Sequence, residues 1–408
     1  MSLPRLVTYA GSVDQVQQAL AHGADHLIVE DPRLGIRSWL GEPRRDHDFS
    51  DLQGLMAAAR FQRPELRLSL NCDALYGDGD EALLTAALRA ARDGGCDAVR
   101  FQDPGLMQLL RQVAPELQAE LATEMAGACI ASVAVYAAEG FAYQCLSNDW
   151  PQADLQQLRA ALPQLQCEIL VHGPVLIQYS ARRQLSAHGQ WNGSLGGDSA
   201  ALPATPWHTV VVDGRPYPFA DNYHGNLMYN TFDRSLYPHL DLLQDLQLSG
   251  WLIDGRGQSP EYLQRALSAF AAARQGGQGS ANPDTWAALQ ASAPRRFKPG
   301  FFLANNTDRC FEDCAEDNES LHVFGEVIDV IRDGPVTIQM YADLPQDPQQ
   351  RQGLYLATPE GRRCAVEWPA LRNLSGNAIS AASAGDILQM PWSKGCIPGS
   401  KVLSDSQF

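Results

Sequence analysis

Residues 6–30, LVTYAGSVDQVQQALAHGADHLIVE, read as strand, helix and strand in succession. The first apolar run ends at Gly11 and Ser12, residues that stop a strand and cap a helix. VDQVQQALAHGA then carries apolar residues at helical spacing and closes at Gly23, and DHLIVE is a second strand. The same rhythm continues along the chain. Strands are expected in LRLSLN (66–71), GGCDAVRFQDP (94–104), ELATEMAG (120–127), FAYQCLSND (141–149), CEILVHG (167–173) and LSGWLIDGRG (248–257). Helical segments rich in Ala, Leu and Gln separate them, such as EALLTAALRAARDGG (81–95) and PEYLQRALSAFAAARQ (260–275). Strands alternating with such helices imply a parallel sheet, and eight of them imply an α/β fold of the TIM-like (β/α)8 barrel type. A doubly wound open sheet is the rival, but no Gly-rich dinucleotide loop follows the first strand.

The expected organisation is a barrel over 1–275, interrupted by a long insertion at about 176–247, then a linker at 276–296. Within the insertion, HGQWNGSLGGDSAALPATPW (188–207) has the Gly, Ser and Pro content of a loop. From about Phe297 the pattern changes to short strands with turns, in residues 322–342, 353–368 and 385–392. This predicts a small antiparallel β-barrel over 297–408.

A chain of 408 residues with 45% hydrophobic and 19% charged residues can bury more than one core. No run reaches the ~18 apolar residues that a membrane helix requires, and MSLPRLVTYAGS lacks the plan of a secretory signal. A cytoplasmic location is the resulting expectation. The formal net charge of −16 disfavours a nucleic-acid partner without excluding a local basic patch, such as Arg60, Arg63 and Arg67 or Arg295, Arg296 and Lys298. Such short runs are also what a solvated face looks like.

Residues 168–186, EILVHGPVLIQYSARRQLS, resemble the signature of the collagenase-like peptidases, peptidase family U32. Two further blocks are similar to that family. FADNYHGNLMYNTFDRS (219–235) offers Asp221, His224, Gly225 and Asn230, and WLIDGRGQSPEYL (251–263) offers Asp254, Gly255, Arg256 and Ser259. The resemblance implies kinship with proteins of oxygen-independent hydroxylation, acting on RNA bases or ubiquinone precursors. It also implies an iron–sulfur cluster held partly by cysteines of the signature, but Leu176 and Arg183 stand at those positions. An acid of the second block is replaced by Asn222. Cluster ligation normally takes four thiolates, and the chain has no cysteine between Cys167 and Cys310, so a cluster at the family position is not expected. The resemblance also allows a role as non-catalytic partner of a cluster-bearing relative.

In a barrel, chemistry sits at the C-terminal strand ends. Those ends here are Tyr9, Glu30, Asn71, Gln102, Glu124, Asn148, His172 and Asp254. The expected catalytic groups are His172, Glu124 and Asp254, with His172 or Glu124 exchanging protons. A strand-end histidine can equally hold a loop. Arg256 is expected to hold an anionic group, or else to pair with Asp254. Asn71, Tyr179, Asp221, His224 and Asn230 complete the expected site for a small polar or aromatic ligand. Cys310, Cys314, Cys364 and Cys396 satisfy the count for zinc or a relocated cluster, with three residues between the first two. Cys72, Cys129 and Cys145, at or just past strand ends, could converge at the mouth or be core residues. The peptidase reading finds no GxSxG elbow, no HExxH helix and no Cys/His pair to support it.

Overall fold

The computed structural model describes residues 3–37, 46–122, 129–183, 208–212, 215–275, 281–303, 322–332, 334–345, 354–358, 363–364, 371–392 and 395–404. The chain divides into two compact units, one of residues 1–208 with 218–305, the other of residues 209–217 with 306–408.

The first unit is the expected barrel. Strands β1 (Arg5–Ala10), β2 (His26–Val29), β3 (Arg67–Cys72), β4 (Ala98–Phe101), β5 (Gln118–Ala122), β6 (Phe141–Cys145) and β7 (Gln166–Ser180) pair in sequence order. After β8 (His208–Val212), β9 (Arg215–Asn222) and β10 (Gly225–Ser235), β11 (Gly250–Ile253) pairs in parallel with both β7 and β1 and closes the ring. Alternation sorts the side chains. Leu27, Val29, Leu68, Leu70, Ile169, Val171, Trp251 and Ile253 face outward into a core shared with the surrounding helices. Val7, Tyr9, Ile28, Leu170 and Leu252 form a separate inner cluster.

Below that inner apolar layer lies a buried ionic one. Arg100 bridges Glu168 at 2.6 Å and Glu120 at 3.1 Å, and Arg67 reaches Glu120 at 2.7 Å. Tyr143 donates to Glu168 at 2.7 Å, and the ring of His26 shares a hydrogen bond with Ser69 at 2.7 Å. Burial opposes ionising Glu120, but the positive groups around it hold its carboxyl at about 2. Burial keeps His26 neutral, with its pKa lowered to about 3. The layer is legible only in part from sequence, because a strand such as AVRF looks apolar apart from one arginine.

Where it is described, the insertion carries strands. β7 runs on past the barrel to Ser180, and β10 returns antiparallel along it, pairing Asn226 with Ser180 and Ser235 with His172. β9 pairs antiparallel with β10. Val175, Leu176, Ile177 and Tyr179 give this extension apolar contacts on both faces, which lengthens the strand beyond the barrel. Residues 188–207, the Gly- and Ser-rich tract, lie outside the described residues. A helix at Pro283–Ser292 precedes β12 (Phe297–Lys298), which pairs in parallel with β10.

The second unit contains an antiparallel sheet of seven strands. In chain order they are β13 (His322–Val330), β14 (Pro335–Met340), β15 (Leu354–Ala357), β16 (Arg363–Cys364), β17 (Arg372–Asn373), β18 (Ile387–Pro391) and β19 (Lys401–Ser404). Its core gathers Phe324, Val327, Val336, Ile338, Leu356, Leu388, Met390 and Val402.

Removing one partner of a buried ion pair leaves a charge stranded without solvent, at a cost of ~3–5 kcal/mol. Arg100→Met is therefore expected to lower unfolding stability by about that amount, read by urea denaturation. A loss below ~1 kcal/mol would show that Glu120 and Glu168 do not depend on Arg100.

Candidate functional site

The mouth of the barrel is organised by one arginine. Asp254, directly after β11, accepts from the Arg256 backbone N–H at 3.0 Å, from its Nε at 3.0 Å and from its Nη2 at 2.8 Å. The remaining nitrogen, Nη1, donates to Glu30 Oε1 at 2.9 Å beyond the end of β2. The guanidinium plane lies 3.4 Å from the ring centre of Tyr9 on β1. Every nitrogen of Arg256 is thus engaged, and one of its faces is covered. Arg37, which is buried, approaches Asp254 Oδ2 at 3.3 Å. Burial would raise the Asp254 carboxyl, but Arg256 and Arg37 together hold it below the usual carboxylate range.

Glu30 behaves oppositely. Burial raises its pKa to about 7, and Asp73 and Asp254 add to the rise against the pull of Arg256. Asn71 Nδ2 lies 3.4 Å from Glu30 Oε1. Asp73, two residues on along the same face, accepts from the Ile36 N–H at 2.7 Å through Oδ1. Two acceptor atoms of this group, Asn71 Oδ1 and Asp73 Oδ2, are buried and have no hydrogen-bond partner among the described residues. The residues themselves are 0% and 1% exposed.

The β7–β10 extension meets the segment 31–37 through a second set of expected residues. His224 Nε2 donates to the Pro32 carbonyl at 2.9 Å, and the Tyr179 hydroxyl donates to the His224 carbonyl at 2.8 Å. Asn222 donates to the Ile36 carbonyl at 2.7 Å while its Oδ1 accepts from the His224 and Gly225 N–H groups. An ionised acid at 222 could not make that donation, which accounts for an amide there. Asp221 accepts from Asn226 at 2.7 Å, and Asn230 Oδ1 accepts from the Thr231 N–H at 2.8 Å. Tyr179, His224, Asp221 and Asn230 thus organise the extension, whereas Asn71, Asp254 and Arg256 share the mouth.

His172 points the other way. Its backbone carbonyl accepts from the Asp254 N–H, but its ring packs on the helical side against Tyr262, Phe270 and Phe297, with centroids 4.9, 5.9 and 4.7 Å away. Nδ1 shares a hydrogen bond with Ser235 at 3.0 Å, and burial lowers its pKa to about 3. The two His-Gly pairs owe their glycines to close approach. A Cβ on Gly173, at φ +139°, would stand 2.5 Å from the Asp254 carbonyl oxygen. One on Gly225, at φ +142°, would overlap the Ser180 carbonyl.

Glu124, Cys310 and Cys314 lie outside the described residues, and of Cys364 only the backbone is described, in β16. Cys396 is buried in the core of the second sheet. Among the described residues, no group of three or more His, Cys, Asp or Glu side chains could hold a metal. Cys72 joins the outer core while Cys145 packs against the inner cluster, so those two thiols do not converge. Leu176, at a cluster-cysteine position of the family resemblance, is buried with Ile36, Ala220, Leu227 and Tyr229, and Arg183 is exposed. Neither side chain is a cluster donor, and the residues present at those two positions do not fit one.

Four members of the basic runs are engaged within the fold. Arg60 donates to the Gly95 carbonyl and Asp97, Arg63 to the Ala24 carbonyl, Arg67 to Glu120 and Arg295 to Asp233. Arg37 and Asp73 escaped the sequence reading. Asp73 was findable as the next residue on the inward face after Asn71, whereas nothing in the pattern marks Arg37.

The family model described as peptidase family U32 matches residues 11–311. The chain belongs to that family. It is 25% identical over 227 residues to tRNA hydroxylation protein P of Escherichia coli (strain K12), covering 53% of this chain and 46% of that protein. It is 22% identical over 265 residues to tRNA hydroxylation protein P2 of Bacillus subtilis (strain 168), covering 64% and 83%. The chain thus spans about half the length of the E. coli relative. A solved structure described as a U32 peptidase shares 16% identity at a TM-score of 0.35, over 43% of this chain and 71% of that one. Among the described residues no helix is long and apolar enough to cross a membrane.

Glu30 holds its proton more tightly in the folded chain than in the unfolded one, from 4.5 up to about 7. The folded state consequently loses stability as pH rises through that window. Asp73, Asp254, Arg256 and Asn71 are the groups that face it. Glu30→Gln is expected to gain stability relative to wild type by roughly 3 kcal/mol between pH 4.5 and 8, measured by denaturant titration at each pH. A pH-independent difference would place the Glu30 pKa near its ordinary value.

Proposed function

We propose that this U32 protein binds a small polar ligand at the mouth formed by Glu30, Asn71, Asp73, Asp254 and Arg256, and serves hydroxylation of RNA bases. The observation that carries the binding reading is the pair of buried, unpartnered acceptors on Asn71 and Asp73, beside a carboxyl poised near neutrality. Buried polar atoms in folded proteins are nearly always satisfied, so two together in a strand-end cluster point to a ligand. Glu30, with a pKa of about 7, would be the group that exchanges a proton at neutral pH. Asp254 stays ionised and positions Arg256, which in turn orients Glu30 and covers Tyr9. His172 holds β7 against the helical layer, and Tyr179, His224, Asp221 and Asn230 fix the extension above. The RNA assignment rests on the relatives named tRNA hydroxylation proteins.

Peptide hydrolysis is the weaker reading. It needs a nucleophile with a base in reach, and His172 keeps its ring among aromatic side chains, with Ser235 as its bonded hydroxyl. The apolar burial of Leu176 favours a second reading, a subunit that works beside a cluster-bearing relative.

Deleting the gene in its native cell is expected to deplete a hydroxylated nucleoside in digested tRNA. Re-expression of Glu30→Gln should restore less than about a tenth of it, given the ~10²–10⁴-fold that a positioned acid–base contributes. Unchanged tRNA in the deletion strain would overturn the RNA assignment. Full restoration by Glu30→Gln, with a cluster-bearing relative retained on the purified wild-type chain, would favour the partner role.

A further inference from the structure

Within the reading that the mouth binds a ligand, the geometry points to the polarity of what is bound. We infer that the mouth takes a planar group presenting at least two N–H donors, such as an amidine, a guanidine or the amino edge of a base, in preference to a carboxylate or phosphate. This inference deepens the ligand assignment and departs from an anion clamp at Arg256.

Three observations carry it. The first is the state of Arg256. Its Nε and Nη2 go to Asp254, its Nη1 goes to Glu30, and its face lies on Tyr9. An incoming anion would meet a guanidinium already paired with two carboxyls, Asp254 and Glu30, and would gain less there than at an unpaired arginine. The second is the kind of atom left over on Asn71 and Asp73. Asn71 Oδ1 and Asp73 Oδ2 are both acceptors, so only a donor can satisfy them. Asn71 Nδ2 lies 3.4 Å from Glu30 Oε1, which leaves Oδ1 turned away from that carboxyl. The third is the charge. Glu30, Asp73 and Asp254 supply three carboxyls against the guanidiniums of Arg37 and Arg256. With Glu30 ionised, the group carries an excess negative charge, which favours a neutral donor or a cation over an anion.

Asn71 lies on the inward face of β3 with Ser69 before it, and Asp73 follows the strand by one residue. Tyr9 with its stacked Arg256 lies in the same mouth. Binding of this kind replaces a desolvation cost already incurred on folding, so a donor pair gains more here than on an open surface.

Benzamidine, benzamide and benzoate are matched planar probes that differ in the polarity of one end. Calorimetric titration of the full chain at pH 7.5 is expected to show benzamidine binding at least ~10-fold tighter than benzoate, with benzamide between them. Asp73→Asn keeps the acceptor for the Ile36 N–H but turns the unpartnered oxygen into a donor, and should cost benzamidine at least ~10-fold. Asn71→Leu, which removes the other acceptor, should weaken benzamidine as well, and circular dichroism confirms that both variants fold. Benzoate binding as tightly as benzamidine would overturn the inference while leaving the mouth a ligand site. Benzamidine binding that both variants leave unchanged would overturn it by placing the probe elsewhere. No binding by any of the three overturns it too, and the tRNA measurement, which uses none of these probes, then judges the wider reading separately.

Discussion

The Asp254–Arg256 pair is the interaction on which the rest of the mouth depends. Asp254 ends the strand that closes the barrel, and its carboxylate takes both the backbone and the side chain of Arg256. That grip aims the guanidinium across β1 and β2, onto Tyr9 and Glu30. Arg37 adds a second positive group from the segment 31–37, which the β7–β10 extension holds through Pro32 and Ile36. Removing the carboxylate would leave two buried guanidiniums short of a counter-charge. The same pair separates two acids by environment. Asp254 is held ionised, while Glu30, with one arginine nitrogen and two acidic neighbours, is held near neutrality.

The barrel interior is layered in a way that makes this mouth rigid. An ionic layer of Arg100, Glu120, Glu168 and Arg67 fills the N-terminal end, and an apolar layer of Val7, Ile28, Leu170 and Leu252 lies above it. The polar cluster is the third layer. His26 and Ile28 of β2, and Glu30 directly after it, contribute to one layer each in turn. The polar mouth therefore rests on a dry floor, which keeps water from reaching it from below and raises the worth of each hydrogen bond.

How much of this was legible follows from what each signal measures. Period-two strands between period-3.6 helices are local, so all eight barrel strands could be placed from sequence. Asp254 and Arg256 were identifiable because strand ends and a family block coincide there. The full set of Arg256 partners was not, since it includes Glu30 and Tyr9, more than 220 residues away in sequence. His172 shows the converse. A bulge where β11 pairs with β7, between Leu252 and Ile253, puts His172 opposite Ile253, on the outer face. A strand-end histidine was therefore visible, but the face it occupies was not. Asn222 looked like a lost acid and is instead a turn residue whose amide both donates and accepts.

A high-resolution crystal structure of the full chain grown at neutral pH, with phosphate and ammonium both in the mother liquor, tests the central claim most directly. The account predicts Arg256 locked between Asp254, Glu30 and Tyr9, with a donor bridging Asn71 Oδ1 and Asp73 Oδ2 at hydrogen-bond distance. An anion seated on Arg256, with Glu30 or Asp254 turned away from it, would contradict the account.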